Sequence, residues 1–308
     1  MKIVIPDKIA LDDKSRRKLE SIPGIKIFDD IVNDPKIIIE RIKDAELVSA
    51  NYIDLTAEII NSSPNLKYII SPAVGFDWID VEAAKKNGIK ILNCPTYNTR
   101  AVAEHAIALM FAVSRQIVLA NNSILEGKFD STAFLGSEVY GKTMVCVGHG
   151  NIGSKIITLA QGLGMITDFM DSTTSDEDFN EKISKADVLV ISVPLNEKTK
   201  GLINKHRISL LKPESIVINV ARGLIIDQDA LYQALEQKLI YGAGIDTFPD
   251  DQTIKIANEN ILKYARLPNV VSTPHMAFNT VGSIERLGDE FLTDIESCMS
   301  GKPSNIVN

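Results

Sequence analysis

The stretch TMVCVGHGNIGSKIITLA, Thr143 to Ala160, constrains the fold more than any other part of the chain. It begins as a run of apolar and β-branched residues, passes through Gly148, Gly150 and Gly153, and continues as an apolar pattern of helical period. A strand that enters G-x-G-x-x-G and leaves as a helix presents backbone N–H groups and the positive end of a helix dipole where no side chain intervenes. The sequence therefore predicts a pyrophosphate-binding corner in a parallel α/β fold.

An acidic residue follows this corner at the spacing that dinucleotide binding requires. The next apolar stretch, GLGMITDFMD, predicts a second strand, and its last residue, Asp171, lies 23 positions after Gly148. A carboxylate about 20 residues beyond the glycines accepts hydrogen bonds from the adenosine ribose. The glycine pattern alone is weak evidence because glycine is common in tight turns, but the strand, the helix and the acid together predict NAD as cofactor.

Length, composition and charge are those of a globular protein with two domains. The chain has 308 residues, of which 45% are hydrophobic and 24% charged. The net charge of −7 and the pI near 5.3 disfavour a nucleic-acid partner. The sequence shows no signal peptide and no apolar run of about 18 residues, so we expect a cytoplasmic protein without a membrane partner. Cys94, Cys146 and Cys298 are widely spaced and predict no metal site.

Short apolar runs alternate with helical patterns along nearly the whole chain, which is typical of βαβ units. The first series of predicted strands comprises 2–6, 46–50, 67–71 and 89–92, and a second series begins at 143. We predict a two-domain α/β protein. Residues 98–282 would form an NAD-binding domain with a Rossmann-type doubly wound parallel sheet. Residues 1–97, completed by the C-terminal helix in 283–308, would form a smaller flavodoxin-like substrate domain.

Residues 99–120, TRAVAEHAIALMFAVSRQIVLA, predict one long helix that is apolar on most of its circumference. Such a helix has to be buried between domains or between subunits. Its large apolar side chains are Ile107, Leu109, Met110, Phe111, Val113, Ile117 and Val118. We therefore expect a homodimer built around this helix.

Polar residues follow three predicted strands of the second series. Arg222 comes after SIVINV, Asp246 closes GAGID, and His275 comes after NVVST. Ligands of parallel α/β sheets bind beyond the carboxyl ends of the strands. Arginine binds carboxylates through a planar fork, and imidazole exchanges protons near neutral pH. Of the other histidines, we interpret His105 as a core residue and His149 and His206 as incidental.

The chain resembles the D-isomer-specific 2-hydroxyacid dehydrogenases, the family of glycerate, phosphoglycerate, glyoxylate/hydroxypyruvate and D-lactate dehydrogenases. The segments that carry the resemblance are 71–95, NTRAVAEHAIALM (98–110), YGKTMVCVGHGNIG (140–153), INVARGLIIDQDALYQAL (218–235), YGAGIDTF (241–248) and TPHMAFNT (273–280). The resemblance implies an NAD-dependent oxidoreductase that interconverts a 2-keto acid and a D-2-hydroxy acid.

The resemblance also implies roles for individual residues. Arg222 would hold the substrate's carboxylate and carbonyl, His275 would act as general acid/base, and Asp251 would pair with His275. The substrate would further meet the main chain of Val74 and Gly75, with Asn98 nearby. The implied cofactor contacts are Gly148, Gly150, Asn151, Ile152, Gly153, Asp171, Val193, Pro194, Val220, Ala221 and Asp246.

The sequence departs from the family beside the histidine. The family has a glutamate, normally followed by proline, where this chain has Asp251 followed by Gln252. One possibility is that Asp251 reaches His275. The other is that Asp251 points to solvent and that His275 pairs with Asp250 or with no acid at all. Asp251 argues against a formate-type dehydrogenase, which has glutamine there. A second function also stays open, since a corepressor-like interaction protein that senses NAD(H) could share the fold.

Overall fold

Two parallel sheets organise the chain in the computed structural model, which describes residues 1–249, 251 and 256–308. These residues divide into two compact units. Unit 1 consists of Met1–Asn98 and Asn279–Asn308, and unit 2 consists of Thr99–Phe278. The predicted α/β class, with a Rossmann-type sheet and a smaller flavodoxin-like domain, is confirmed. Strands and helices are numbered below in chain order through both units.

Unit 1 contains a sheet of five parallel strands in the order β2-β1-β3-β4-β5, which is the flavodoxin-like order. Its strands are β1 (Ile3–Ile5), β2 (Ile25–Ile27), β3 (Leu47–Ser49), β4 (Tyr68–Ser71) and β5 (Lys90–Asn93). Its helices are α1 (Asp13–Glu20), α2 (Pro35–Ile42), α3 (Ala57–Asn61), α4 (Val81–Lys86) and α12 (Val281–Met299). Side chains cap α1 to α4 at their first turns, from Asp12, Asp34, Thr56 and Asp80.

Both ends of the chain build unit 1. Helix α12 packs against α1 and β4, and the residues after it lie along β5. There the backbone N–H of Val307 donates to the carbonyl of Ile91 at 2.9 Å, and Leu92 pairs with Ile306 in an antiparallel bridge. The free edge of β5 is thereby covered by the last residues of the chain.

Unit 2 contains a sheet of six parallel strands in the order β7-β6-β8-β9-β10-β11. Its strands are β6 (Thr143–Val147), β7 (Ile166–Met170), β8 (Val188–Ile191), β9 (Ile216–Asn219), β10 (Gly242–Ile245) and β11 (Val270–Ser272). Its helices are α5 (Thr99–Ser114), α6 (Ile117–Leu125), α7 (Asn151–Gly162), α8 (Asp176–Lys185), α9 (Lys205–Ser209), α10 (Gln228–Glu236) and α11 (Glu259–Ala265). The strand order reverses at β6, which is where doubly wound sheets bind their ligands.

The predicted helix 99–120 is wrong in its extent. Helix α5 ends at Ser114, Gln116 takes a left-handed conformation with φ of 51°, and α6 continues at an angle of 60°. Leu109, Met110 and Val113 are buried in the core of unit 2. The exposed part of the apolar surface instead lies on α6, where Ile117 and Val118 are 53% and 43% exposed.

In the described part of the chain, no single helix has the length and apolar composition needed to cross a membrane, and only the bent pair α5 and α6 meets both conditions jointly. The three cysteines are buried and free. Burial raises the pKa of Cys146 to about 11, as it does for Cys298. The described residues contain no group of three or more His, Cys, Asp or Glu side chains that could hold a metal.

Candidate active site

The glycine corner between β6 and α7 leaves its inner face open. Gly148 has φ of 107°, and a Cβ there would lie 2.9 Å from Val193 Cγ1. A Cβ on Gly153 would lie 2.0 Å from the carbonyl oxygen of Gly148. A Cβ on Gly150 would meet no atom within 4 Å, and Gly150 caps α7 without a side chain. The start of a 12-residue helix is thus open to an anion, so the corner fits the pyrophosphate of NAD.

Asp171 lies directly after β7, beside the corner. Its Oδ1 accepts hydrogen bonds from the backbone N–H and the hydroxyl of Thr173, at 2.8 and 2.7 Å. These bonds, with the nearby His149 as a smaller contribution, hold the pKa of Asp171 below its usual range. Oδ2 accepts no hydrogen bond from the described residues and is available to the hydroxyls of a ribose.

His149, which the sequence analysis treats as incidental, has a defined place in this region. Its ring stacks on Phe169 of β7, with the centroids 3.8 Å apart and the planes inclined by 19°. The adjacent cofactor residues of the prediction occupy the same edge of the sheet. Asn151 and Ile152 begin α7, Val193 and Pro194 follow β8, and Val220 and Ala221 follow β9.

Three neighbouring strands carry the predicted polar residues at their carboxyl ends. Arg222 follows β9, Asp246 follows β10 and His275 follows β11, and these strands are adjacent in the sheet. Arg222 Nη1 donates to the carbonyl of Ala221 at 2.9 Å. A Cβ on Gly223 would lie 2.3 Å from the main chain of Phe248, so glycine is required where the arginine segment meets the segment after β10.

His275 is held by an acid on one side of its ring. Its Nδ1 lies 3.1 Å from Oδ1 of Asp251, and Oδ2 of Asp251 accepts the backbone N–H of Phe248 at 2.8 Å. A carboxylate can only accept, so Nδ1 carries a proton and Nε2 remains for a substrate. The side chain of Asp251 is 8% exposed and that of His275 is 25% exposed. Asp250, the alternative partner, and Gln252 lie outside the described residues.

Asp246 is completely buried and connects β10 to the segment of His275. Its Oδ1 accepts from the hydroxyl of Thr273 at 2.6 Å and from the N–H of Met276 at 3.0 Å, and its Oδ2 accepts from the N–H of Ala277 at 3.0 Å. Burial raises the pKa of Asp246, but these bonds and one from His105 outweigh it, so the pKa lies below its usual value. Asp246 is therefore an ionised anchor for this segment.

In unit 1, the turn after β4 presents two backbone N–H groups. The carbonyl of Val74 accepts from Asn93 Nδ2 and that of Gly75 from Ser71 Oγ, each at 2.7 Å. The N–H groups of Val74 and Gly75 donate to none of the described residues. Successive free N–H groups of this kind bind anions. Asn98, at the end of this part of unit 1, is buried, and its Oδ1 has no hydrogen-bond partner in the structure.

Sequence reasoning missed two contributors, Thr273 and His105. His105 Nε2 lies 3.0 Å from Thr273 Oγ1 and 3.4 Å from Asp246 Oδ1. The sequence shows a threonine two positions before His275, which is a weak signal. It gives no sign that a histidine 168 positions earlier would contact that threonine.

Comparisons with known proteins identify a family and several relatives that this chain resembles. A sequence model described as the NAD binding domain of D-isomer specific 2-hydroxyacid dehydrogenase matches residues 107–277. A glycerate dehydrogenase of Methylorubrum extorquens is 34% identical over 89% of this chain and 88% of its own length. A hydroxypyruvate reductase of Thermotoga maritima is 36% identical over 81% of this chain and 83% of its own length.

Among solved structures, an acyclic imino acid reductase in complex with NADPH and D-Arg is similar to this chain over the whole of both chains. The TM-score is 0.91 and the sequence identity is 32%. The likeness extends through both units of the chain.

Proposed function

Because the chain belongs to the D-isomer specific 2-hydroxyacid dehydrogenase family, we propose that it reduces a 2-keto acid to a D-2-hydroxy acid and catalyses the reverse oxidation. The cofactor is NAD, whose binding domain the chain contains. The proposal depends above all on His275, whose Nδ1 is fixed by Asp251 and whose segment follows the strand next to β10. A ring oriented in this way can deliver a proton from Nε2 to the C2 oxygen.

Each residue of the site has one task in the proposed reaction. When bound, NADH supplies the hydride that reduces C2. His275 gives the proton to the C2 oxygen during reduction and takes it back during oxidation. Asp251 holds the ring and stabilises its protonated form. Arg222 binds the carboxylate and stabilises negative charge that develops on the C2 oxygen.

The remaining contacts to cofactor and substrate would come from residues of both units. Gly148, Gly150 and Gly153 would hold the pyrophosphate at the start of α7, and Asp171 the adenosine ribose. The resemblance to the family assigns Asp246 to the nicotinamide carboxamide, and its Oδ2 accepts one hydrogen bond from the described residues, that of Ala277 N–H. The free N–H groups of Val74 and Gly75 would bind the substrate carboxylate, with Asn98 nearby.

A screen of NADH oxidation tests the proposal. The substrates are glyoxylate, hydroxypyruvate, pyruvate, phosphohydroxypyruvate and branched 2-keto acids, each with and without an added amine. The amine is included because the imino acid reductase is so similar in structure. We expect turnover of at least one keto acid without amine, and His275→Ala as the inactive control. Turnover only with amine would assign imine reduction instead.

The same screen separates the enzyme from a corepressor-like protein that senses NAD(H). Such a protein would bind NADH, as measured by the quenching or enhancement of nicotinamide fluorescence, yet oxidise it no faster than His275→Ala. The presence of both Arg222 and His275 at the carboxyl edge of the sheet favours the enzyme.

We further propose that the chain forms a homodimer in the cytoplasm. Apolar side chains are exposed along α6 and the segment after it, where a second copy would cover them. They are Ile117, Val118, Ile124, Leu125, Phe129 and Leu135.

A further inference from the structure

The backbone of His275 takes a conformation that a residue with a side chain seldom adopts. Its φ is 51°, in the left-handed region. The N–H of His275 donates to the carbonyl oxygens of Asp246 at 2.8 Å and of Thr273 at 3.0 Å. A conformation of this kind persists only where the surrounding structure holds it. The contacts on both sides of His275 therefore determine where its imidazole lies.

Those contacts meet in the carboxylate of Asp246. The two residues after His275 donate their N–H groups to it, and Thr273, two residues before, donates its hydroxyl. The segment is thus fastened on each side of His275 to one buried anion. None of these bonds touches the imidazole itself.

The hydrogen positions in this network can be assigned. Asp246 is ionised and can only accept, so the single proton of the Thr273 hydroxyl points to Oδ1 at 2.6 Å. The hydroxyl oxygen can then only accept from His105, whose Nε2 lies 3.0 Å away. His105 must therefore carry its proton on Nε2, and it directs that proton to Thr273 Oγ1 at 3.0 Å, with Asp246 Oδ1 farther away at 3.4 Å.

We propose that His105 is a positioning residue for His275, acting through Thr273 and Asp246. Resting on the proposed reductase function, this inference gives a role to a histidine that has no contact with the reacting atoms. The Nε2–H of His105 orients the Thr273 hydroxyl and strengthens its bond to Asp246, since bonds in a chain polarise one another. Loss of that donor loosens the segment that carries His275.

Variants of His105 and Thr273 test this role. His105→Leu removes the donor, whereas His105→Gln places an amide N–H near the position of Nε2. Thr273→Val removes the hydroxyl at almost constant shape, and Thr273→Ser keeps it. His206→Leu is the matched control because His206 lies exposed on α9. Thermal unfolding of each variant reports whether it is folded.

Two readouts are measured on the full chain. The first is kcat for reduction of the best keto acid, and the second is the pH titration of the His275 imidazole by NMR, with His275→Ala for assignment among the four histidines. We expect His105→Leu and Thr273→Val to lower kcat about tenfold, part of the roughly hundredfold or more that a positioned acid/base contributes. We expect both to displace the His275 signal and its titration midpoint, and Gln and Ser to restore most of each.

Unaltered kcat and an unaltered His275 titration in folded His105→Leu or Thr273→Val would overturn the inference. If the wild-type protein reduces no keto acid, the proposed function fails, and the NMR titration then decides the inference by itself. If the His275 signal and its titration midpoint change in neither the His105 variants nor the Thr273 variants, the network only stabilises the fold.

Discussion

Asp251 is one methylene shorter than the glutamate that the family places beside its histidine. In the structure its Oδ1 nevertheless lies 3.1 Å from Nδ1 of His275. The bond between Asp251 Oδ2 and the N–H of Phe248 fixes the carboxylate from its other side. The turn after β10 thus brings the shorter acid close enough, without a longer side chain.

In Asp251→Asn, the alkaline limit of keto-acid reduction should lie at a lower pH than in the wild-type protein. A carboxylate stabilises the protonated imidazole that acts as the acid, and an amide does not. The alkaline limb of kcat/KM should therefore move down by about one pH unit, the usual order for one nearby charge. Asp229→Asn, on an exposed part of α10, is the control. An unchanged profile, with His275→Ala nearly inactive, would show that His275 works without this acid.

Asp171→Ala should narrow the preference for NADH over NADPH. Asp171 carries a charge at pH 7, keeps Oδ2 available to ribose hydroxyls, and would repel a 2′-phosphate. We expect the ratio of kcat/KM for NADH to that for NADPH to fall by about tenfold. Glu177→Ala, in the first turn of α8, serves as control for general loss of negative charge. Equal use of both cofactors by the wild-type protein would contradict the assignment.

Two glycines of the corner between β6 and α7 have different roles, because substitution of Gly153 should affect folding and substitution of Gly150 should affect cofactor binding. Gly153→Ala brings its methyl into the carbonyl of Gly148, an overpacking that costs about 1–3 kcal/mol or more of folding free energy. Gly150→Ala adds a methyl to open space at a φ of −79°, which alanine adopts freely. We expect the Tm without cofactor to fall in Gly153→Ala and to stay near wild type in Gly150→Ala.

Cofactor binding should respond to Gly150→Ala even though folding does not. The added methyl occupies the space over the start of α7 that the pyrophosphate needs. Titration with NADH should give a Kd about tenfold higher, equivalent to ~1.4 kcal/mol. Wild-type affinity in Gly150→Ala would place the pyrophosphate elsewhere.

Asp294 on α12 should make the free energy of unfolding of unit 1 depend on pH. Burial raises the pKa of Asp294 to about 6, although Asn305 and Ser304 donate hydrogen bonds to it. A raised pKa in the folded state means that folding favours the protonated acid. Its stabilising contribution is full below the unfolded pKa near 3.8 and is lost as pH rises through about 6.

Asp294→Asn keeps a neutral side chain at every pH, so its Tm relative to wild type should increase between pH 4 and 7. The limiting gain is about 3 kcal/mol for a shift of this size. Calorimetry of both proteins across this range checks the expectation. A constant difference between them would mean that Asp294 titrates normally.

Much of the fold could be predicted from the sequence, because buried parallel strands appear as apolar runs. Strand β2 was missed since it spans only Ile25–Ile27 at an exposed edge of its sheet. The end of α5 was missed because no glycine or proline marks it. There, the N–H of Ser137 donates to the carbonyl of Ser114, and Gln116 Nε2 donates to the carbonyl of Leu135. Contacts with residues 19 and 23 positions away end a helix that its own sequence would continue.

Some residues of the candidate site could likewise be predicted from the sequence, and others could not. Arg222, Asp246 and His275 could be predicted because each follows a strand, and parallel strands share their carboxyl edge. The link from His105 to Thr273 could not, because a hydrogen bond across 168 positions leaves no local pattern. The stacking of His149 on Phe169 has the same character.

The exposed apolar side chains of 117–135 should produce a dimer. Leu125, Phe129 and Leu135 are 78%, 95% and 88% exposed. Sedimentation at micromolar concentration should give twice the chain mass of 33.8 kDa. Leu125→Glu with Phe129→Glu should give a monomer, whereas Ile256→Glu, at an exposed position outside this segment, should not. A monomeric wild-type protein would refute the dimer.

The division of the chain between the two units also sets an order of events during synthesis. Unit 2 is one continuous segment, Thr99–Phe278, whereas unit 1 needs Asn279–Asn308 to complete it. Domains generally fold as units while the chain emerges from the ribosome. The nucleotide-binding unit can therefore fold while unit 1, although made first, still lacks α12 and the residues that cover β5. The first 98 residues can complete their fold only with Asn279–Asn308, and in that interval the uncovered edge of β5 makes them prone to aggregate.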